Sequence, residues 1–361
     1  MSNPLDANDL RARVQAAVDA EISLQSQVLS EIGDDLTPLV GAVGALLQGG
    51  KRLRAAFLYW GYRAGGGPDD EAVIRAATSM EFFQAAALLH DDVMDDSDTR
   101  RGMPSAHRRL ANEHAAAGWA GNGDRFGVAG AILGGDLCLT WTDELFATSG
   151  LPAAELTRAR PFFDRMRTQL MGGQFLDVLE SARGWGELTT DERIARARRV
   201  IRYKSAKYTV EHPLLIGAAA ADVSAPDREA LTTYGLDLGE AFQLRDDVLG
   251  VFGDPAQTGK PAGDDLREGK LTVLVALALD RAGTSTVSLF EKLLGLPDLD
   301  EPRVDELRGA ITDSGALDRV EQMITDLSAS ARAALDSTTA LTDEGRAALD
   351  ALIDVSTARS A

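Results

Sequence analysis

The feature that most constrains this chain is the spacing of its apolar residues, which recur every three or four positions through almost every segment. Ala, Leu, Arg, Glu and Asp dominate these segments, and all are typical of helix interiors or helix surfaces. Stretches that alternate between apolar and polar residues, as strands do, are scarce. The pattern therefore predicts an all-α protein, with its first helices at 10–32, 36–47, 52–63 and 71–95.

The remaining segments continue this pattern, with helices predicted at 128–148, 153–182, 190–210 and 226–249 and over most of 271–357. Two glycine-containing stretches, 111–127 and 252–269, are predicted to be loops. The chain has no repeat of solenoid length and no linker long enough to separate two domains. We therefore expect one helical domain, 1–361, built around a central cavity.

Charge and composition limit the partners that this protein can have. The formal net charge of −19 disfavours nucleic acid and anionic lipid, and any phosphate site must supply its own positive charge. The N-terminus has no signal-peptide pattern, and the longest apolar stretch, near 271–279, is shorter than the roughly 20 residues of a membrane span. The one cysteine, Cys138, is expected to be buried and permits no internal disulfide. We expect a cytoplasmic protein without a membrane span.

The first acidic motif, HDDVMDD at 90–96, ends a predicted apolar helix. Asp91 and Asp95 are four residues apart and share a helix face, with Asp92 close by. Like charges repel there, and they oppose the helix dipole, so a cation is expected to compensate them. Carboxylates without accompanying Cys or paired His favour Mg²⁺. Taken alone, this motif is equally typical of a solvated acidic turn.

A second acidic motif strengthens the metal interpretation. Asp246 and Asp247 also end an apolar helix and also precede a Gly/Pro-rich stretch. Two such helix ends facing each other across a cavity are suited to hold several Mg²⁺ ions bridged by a diphosphate. The pair of motifs favours a metal site over two surface turns.

Basic residues at chain breaks provide the complementary charge. Arginine forks bind phosphate oxygens in pairs, and lysine supplies a point charge. Each cluster alone is typical of solvated surface, but their interleaving with the acidic motifs indicates a diphosphate site. No GxxxxGK[ST] pattern is present, so a P-loop is not supported. The clusters are Lys51, Arg52 and Arg54; Arg100 and Arg101; Lys204 and Lys207; and Lys260 and Lys270.

In their order, the motifs GGKRLR, HDDVMDDSDTRRG, GQFLD, KSAKYT, FQLRDDVLGVFGDP and TGKPAGDDLREGKLT resemble the polyprenyl synthetase family, which includes farnesyl and geranylgeranyl diphosphate synthases. The resemblance covers 49–272, and helices at 271–358 follow it. It implies the isoprenoid synthase fold, a helical bundle around a deep central cavity. It also implies a trans-prenyltransferase that condenses isopentenyl diphosphate with an allylic prenyl diphosphate, uses three Mg²⁺ ions and forms a homodimer.

The resemblance also implies roles for individual residues. The metal ligands would be Asp91 and Asp95, supported by Asp92, and Asp246, with Asp247 assisting. Isopentenyl diphosphate would be bound by Lys51, Arg54, Gln84 and Arg101, and Gln84 replaces a frequent His. Allylic diphosphate would be bound by Arg100, Lys204, Ser205 and Lys260, with Lys270 nearby. Gln174, Asp177 and Gln243 would support these ligands.

One departure from the family pattern concerns the second motif. The usual DDxxD ends here at Gly250 instead of an aspartate. If Asp246 carries the third metal ion the change is mild, because Asp247 and Asp254 are available to share the supporting role. If the missing carboxylate is needed, affinity for the allylic substrate or the rate would suffer. We expect the mild case.

Product length in this family depends on the helix that precedes the first motif. Ala86 and Ala87 are small, where an aromatic residue is typical of a farnesyl-length product, and Phe83 is the next candidate for the floor of the cavity. This favours geranylgeranyl diphosphate, although Met80 and Phe82 leave longer products open. The alternatives are a farnesyl or longer-chain synthase, a terpene cyclase on the same fold, and an inactive subunit of a heteromeric synthase.

Overall fold

Helices form almost all of the computed structural model, which describes residues 3–253, 263–280, 282–296 and 298–358. In its first half lie α1 (Leu10–Ser30), α2 (Thr37–Leu46), α3 (Leu53–Ala64), α4 (Glu71–Met94), α5 (Ala106–Ala116) and α6 (Gly123–Ala147). Short 3₁₀ helices at Ala7–Asp9 and Asp34–Leu36 precede α1 and α2. The strands β1 (Thr99–Arg100) and β2 (Met103–Pro104) form an antiparallel hairpin between α4 and α5.

The second half begins with α7 (Ala153–Arg183) and α8 (Thr190–Val200) and continues into a π-helix at Ile201–Glu211. It then contains α9 (His212–Ala220), α10 (Ala225–Phe252), α11 (Asp264–Arg267), α12 (Val273–Ala278), α13 (Thr284–Leu293), α14 (Glu301–Asp313), α15 (Ala316–Asp336) and α16 (Asp343–Thr357). The all-α prediction is confirmed, and the predicted helix at 190–210 divides into α8 and the π-helix.

Several helix starts follow directly from local capping chemistry. The Asp70 carboxylate accepts hydrogen bonds from the backbone N–H groups of Ala72 at 3.0 Å and Val73 at 3.2 Å, so α4 begins at Glu71. Thr189 and Glu192 form a reciprocal capping box at the start of α8. These caps explain why sequence patterns located both helix starts.

The predicted loop at 111–127 was wrong, because most of it is helical. Its Ala-rich beginning completes α5, and its end is the first turn of α6. A Cβ added at Gly127 would overlap the carbonyl oxygen of His107, so glycine is required where these two helices approach closely. The glycines that suggested a loop therefore serve helix packing.

The predicted loop at 252–269 is only partly described. Residues 254–262, which include Asp254 and Lys260, lie outside the described residues. The described end of this stretch contains the short helix α11, contrary to the prediction of a continuous loop.

The chain divides into two compact units. Unit 1 comprises Met1–Arg160, Ile216–Asp222 and Thr342–Gly345, and unit 2 comprises the remainder. A core of unit 1 surrounds Val43, Phe82 and Trp141, and a core of unit 2 surrounds Val248, Leu277 and Val304. The single domain inferred from the sequence stays a prediction.

Among the described residues, α4 is the one helix with the length and apolar composition of a membrane span. However, 72% of its most apolar stretch is buried inside the protein. Such burial is typical of a core helix. The sequence analysis had placed the longest apolar stretch near 271–279, and not in α4.

Candidate functional site

The first acidic motif spans the end of α4, where its three carboxylates differ in exposure. Asp91 is half-buried, Asp92 is buried and Asp95 is exposed. The backbone N–H of Asp95 donates to the carbonyl of Asp91 at 2.9 Å, which ends the helix. Asp91 and Asp95 are therefore the more accessible pair, one turn apart.

Asp92 is held by Arg100 of the β1–β2 hairpin. Arg100 donates from both Nε, at 2.8 Å, and Nη2 to the Asp92 Oδ1, and Nη2 lies 3.5 Å from the Asp91 Oδ2. Burial raises the pKa of Asp92, although Arg100 opposes that shift. Asp92 thus links the hairpin to the end of α4.

The basic residues of the GGKRLR segment differ in burial. Arg52 turns inward in a left-handed conformation (φ 55°), and its Nη1 lies 2.9 Å from the Glu81 Oε2 of α4. Its Nη2 also donates to the Leu47 carbonyl and the Gln15 Oε1. Lys51 is exposed and Arg54 is half-buried. Arg52 therefore anchors the segment that carries the two predicted substrate contacts.

Arg101 extends from the hairpin toward the same segment. Its Nη1 donates to the carbonyls of Leu46 at 3.3 Å and Gln48 at 3.4 Å, beside the start of GGKRLR. Burial lowers the pKa of Arg101, and the positive charges of Arg52, Arg100 and Arg54 lower it further. Unit 1 thus concentrates four guanidinium groups, which is an arrangement that favours an anion.

Helix α4 connects this cationic cluster with the acidic motif. Gln84, Ala87 and Asp91 follow at spacings of three and four residues, and all three are partly accessible. Ala86 instead lies in the packed core, and Phe83 is fully buried. The predicted chain-length residues thus differ in burial, although their spacing of three and four residues makes them neighbours on the helix.

In unit 2, the π-helix carries Lys204 and Ser205, both half-buried. The Lys204 Nζ lies 2.5 Å from the Asp177 Oδ2 of α7, and Gln174 stands one turn earlier on α7. π-Helical turns are rare and occur frequently at functional sites. The predicted allylic contact and its predicted supporting residue are therefore direct partners.

The second acidic motif lies near the end of α10. Asp247 is buried and accepts a hydrogen bond from the Gln243 Nε2 at 2.9 Å, whereas Asp246 is half-buried. Burial raises the pKa of Asp247 to about 8, and the charge of Asp265 contributes. Lys270 lies 2.8 Å from Asp265, so three of the predicted residues, Gln243, Asp247 and Lys270, meet here around an unpredicted carboxylate.

The donors of each acidic motif fit a hard divalent cation. Asp91 and Asp95 in unit 1, and Asp246 in unit 2, offer carboxylate oxygens without a thiolate or imidazole, which are the donors that Mg²⁺ prefers. Within the described ranges, no three His, Cys, Asp or Glu side chains are already grouped as a metal site. The carboxylates therefore fit the ion by chemistry and not as a preformed cage.

Sequence reasoning did not single out Glu81 and Asp265, whose side chains form ion pairs with Arg52 and Lys270. Glu81 carried a usable signal, because a charged residue within the apolar sequence SMEFFQAAALL requires a buried partner. Asp265 stood beside Asp264 in a polar stretch, and no local signal distinguished the two.

Comparison with known proteins places these features in a family. The polyprenyl synthetase family model matches residues 38–311. A geranylfarnesyl diphosphate synthase of Aeropyrum pernix is 33% identical over 326 residues, covering 88% of this chain and 94% of that protein. A nonaprenyl diphosphate synthase of Mycobacterium tuberculosis is 32% identical over 356 residues, covering 96% and 92%.

A solved structure is also similar. The geranylgeranyl pyrophosphate synthase of Corynebacterium glutamicum, in complex with isoprenyl diphosphate and magnesium, superimposes with a TM-score of 0.91. The two are 39% identical, and the match covers 97% of this chain and 99% of that one. The helices and acidic motifs are those of the all-α isoprenoid synthase fold. The chain belongs to the polyprenyl synthetase family and is a prenyltransferase.

Proposed function

We propose that this protein condenses isopentenyl diphosphate with an allylic prenyl diphosphate and that its main product is geranylgeranyl diphosphate. The observation that carries the proposal is Arg100, which lies 3.5 Å from the Asp91 Oδ2 at the end of α4 and is electrostatically coupled to Arg101, itself coupled to Arg54. Cations and carboxylates this close together suit a diphosphate accompanied by divalent metal. Named relatives of several product lengths support the reaction class.

In unit 1, isopentenyl diphosphate would bind to Lys51, Arg54, Gln84 and Arg101. Arg101 is already extended beside GGKRLR, and burial and neighbouring cations lower its pKa, so a diphosphate would relieve the repulsion among these groups. Gln84 lies on the accessible face of α4 and can donate from its amide to a phosphate oxygen.

The allylic diphosphate would bind to Arg100, Lys204, Ser205 and Lys260, with Lys270 and Gln243 contributing. Lys204 is fixed by Asp177 and Arg100 by Asp92, so two of these cations are oriented before substrate arrives. Oriented cations stabilise the charge that grows on a departing diphosphate. The allylic fragment becomes cationic, the isopentenyl double bond attacks it, and the pyrophosphate accepts the proton that leaves.

The divalent metal would be Mg²⁺, with three ions per active site, held by Asp91, Asp95 and Asp246 and supported by Asp92 and Asp247. When bound, Mg²⁺ neutralises negative charge on the diphosphate, which is the leaving group. Asp92 would act mainly through its hydrogen bonds with Arg100. The magnesium in the complex of the Corynebacterium glutamicum enzyme supports this assignment.

We also propose a cytoplasmic homodimer. Ile132 and Leu133 on α6 are 42% and 56% exposed, although both are large apolar residues. A second copy of the chain would cover them, since apolar side chains grouped on a helix favour burial.

Product analysis tests the proposed function. Purified protein is incubated with Mg²⁺, isopentenyl diphosphate and, separately, dimethylallyl, geranyl or farnesyl diphosphate. We expect a geranylgeranyl product that disappears without Mg²⁺. Another prenyl length would preserve the reaction and overturn the assigned product, and no product from any primer would overturn the reaction.

Two variants separate the active site from general damage. Asp91→Ala should lower the turnover number by at least about 10³-fold, because it removes a ligand from the charged transition state. Asp313→Ala removes an exposed carboxylate at the end of α14 and should leave the turnover number unchanged.

A further inference from the structure

One face of α7 contacts the π-helix segment near both of its ends. Gln169, Gly173 and Asp177 follow at intervals of four residues, so they share that face. The Gln169 Oε1 lies 2.9 Å from the Nε2 of His212, the residue just after the π-helix. The Asp177 Oδ2 lies 2.5 Å from the Lys204 Nζ, and a Cβ added at Gly173 would come within 2.6 Å of the Lys204 backbone nitrogen. The helix that binds Lys204 therefore also binds the far end of the segment.

Helix α10 packs against the same segment through glycines. A Cβ added at Gly239 would come within 2.6 Å of the Ala206 Cα, and one added at Gly235 would come within 2.6 Å of the Glu211 Cα. Glycine is required at such distances, because any side chain would push the two backbones apart. These glycines permit close packing, but they offer no side chain that would favour π-helical over α-helical winding.

A buried ion pair lies in the last turn of the π-helix. The Lys207 Nζ donates to the Glu211 Oε1 at 3.1 Å and to the Oε2 at 2.8 Å. Glu211 is only 3% exposed, and the Lys207 side chain is 12% exposed. Burial raises the pKa of Glu211, and Lys207 opposes that shift. An ion pair at this depth adds little net stability over apolar packing, and its best-attested use is to specify one arrangement of the chain.

The winding of this segment decides where Lys204 points. A π-helix hydrogen-bonds across five residues, as the His212 N–H does to the Lys207 carbonyl, and it turns less per residue than an α-helix. If the segment rewound as an α-helix while Glu211 stayed in place, Lys204 would rotate away from Asp177. The contacts that hold the end of the π-helix therefore also determine the orientation of the lysine near its start.

We propose that Glu211 is a positioning residue that acts on Lys204 through the π-helix. By pairing with Lys207 beside the contact between His212 and Gln169, it maintains the π-helical winding that directs Lys204 toward the allylic diphosphate. This inference rests on the proposed function, in which Lys204 binds that diphosphate. It gives a buried charged pair outside the substrate contacts a role in the reaction.

A thermodynamic cycle between Glu211→Gln and Lys204→Gln tests this role. The measurement is the binding of inorganic pyrophosphate in the presence of Mg²⁺ by titration calorimetry, without any prenyl substrate. We expect Glu211→Gln to weaken binding about 10-fold in the wild-type background, because a misplaced lysine loses a charge-assisted contact with phosphate. In the Lys204→Gln background, the same change should weaken binding less than about 2-fold, because no lysine is left to be misplaced.

A second variant separates positioning from stability. Lys207→Met combined with Glu211→Leu removes the ion pair without leaving a buried charge alone, so its melting temperature should be at least that of the wild type. Pyrophosphate binding should still be about 10-fold weaker, because apolar side chains do not specify the winding.

Asp227→Asn is the matched control. Asp227 is another buried carboxylate of unit 2, and it accepts a hydrogen bond from the Thr339 N–H at 2.8 Å. This substitution should lower the melting temperature without changing pyrophosphate binding, which shows that lost stability alone does not weaken the site.

Two results would overturn the inference. One is a Glu211→Gln effect on pyrophosphate binding that is absent from the wild-type background or equal in both backgrounds. The other is wild-type affinity in the variant that lacks the ion pair. Neither result bears on the proposed function, which fails only if the wild-type protein makes no prenyl product.

Discussion

Arg52 and Glu81 form an ion pair of 2.9 Å, with side chains that are only 5% and 8% exposed. The pair joins the residue before α3 to the middle of α4. It therefore connects the segment that carries Lys51 and Arg54 to the helix that carries the first acidic motif. A positively charged residue that appeared from the sequence to belong to a substrate cluster is in fact an internal support.

Replacing Arg52 by Ala should lower the free energy of unfolding by about 3–5 kcal/mol, because Glu81 would stay buried without its charged partner. Urea unfolding followed by circular dichroism measures this. The control is Arg11→Ala, which breaks an exposed pair with Asp6 and should cost less than about 1 kcal/mol. Similar losses of unfolding free energy in the two variants would contradict the role of Arg52 as an internal support.

Replacing Arg100 by Gln should reduce both stability and activity, because Arg100 holds the buried Asp92 and lies close to Asp91. We expect a loss of about 2–4 kcal/mol in unfolding free energy and at least about 10²-fold in kcat/KM. A double-mutant cycle with Asp92→Asn tests the coupling. If the two substitutions are additive in unfolding free energy, the pair does not link the hairpin to α4.

Lys204→Gln should lower kcat by about 10²–10³-fold with little loss of stability, because Lys204 is half-buried and is oriented by Asp177. Steady-state kinetics with the allylic substrate varied measures this effect. Lys292→Gln, which neutralises an exposed lysine in the last turn of α13, is the control and should have wild-type kinetics. An unchanged kcat for Lys204→Gln would show that Lys204 does not contribute to the reaction.

Phe83→Ala should lengthen the product, since Phe83 is the candidate floor below Ala87. Product chain length by mass spectrometry is the measurement. Phe82→Ala is the matched control, because the Phe82 ring packs edge-on against Trp141 at 6.2 Å within the unit 1 core. It should cost about 3–5 kcal/mol of stability without lengthening the product. If Phe82→Ala gives a longer product and Phe83→Ala does not, Phe82 and not Phe83 forms the floor of the cavity.

His212 should make the stability of the protein depend on pH. Burial lowers its pKa from 6.5 to about 3, and its Nε2 lies 2.9 Å from the Gln169 Oε1. Below pH 6.5 the unfolded chain binds a proton at His212, whereas the folded protein binds it only when the pH approaches 3. Its stabilising contribution is therefore complete above pH 6.5 and is lost as the pH falls toward 3.

His212→Gln should remove this dependence. Between pH 6 and 4, the unfolding free energy of the wild type should fall by up to about 1.4 kcal/mol per pH unit relative to the variant. Burial raises the pKa of the neighbouring Glu211, which acts in the opposite direction, so the comparison is the difference between the two proteins. Parallel pH profiles would show that folding does not lower the pKa of His212.

Local chemistry explains how much of the fold could be predicted. The start of α4 at Glu71 follows from Asp70, and the ends of α4 and α10 coincide with the two acidic motifs. These features depend on neighbours within one helical turn, and the sequence contains all of them. The order of the acidic and basic motifs likewise indicated a diphosphate enzyme before any contact was known.

Tertiary structure alone decided what the same residues do when distant segments meet. The glycines of 111–127 indicated a loop locally, but Gly127 permits the close approach of α5 and α6. Arg52 was indistinguishable from its basic neighbours until Glu81, 29 positions away, was found beside it. Gly250 departs from the usual acidic motif in the sequence, and only the structure shows that the Asp265 carboxylate lies against its backbone. Helical periodicity and capping depend on residues that are close together in the sequence, so the sequence alone determines them. Ion pairs and close packing between distant segments depend on which helix faces meet, so only the tertiary structure determines them.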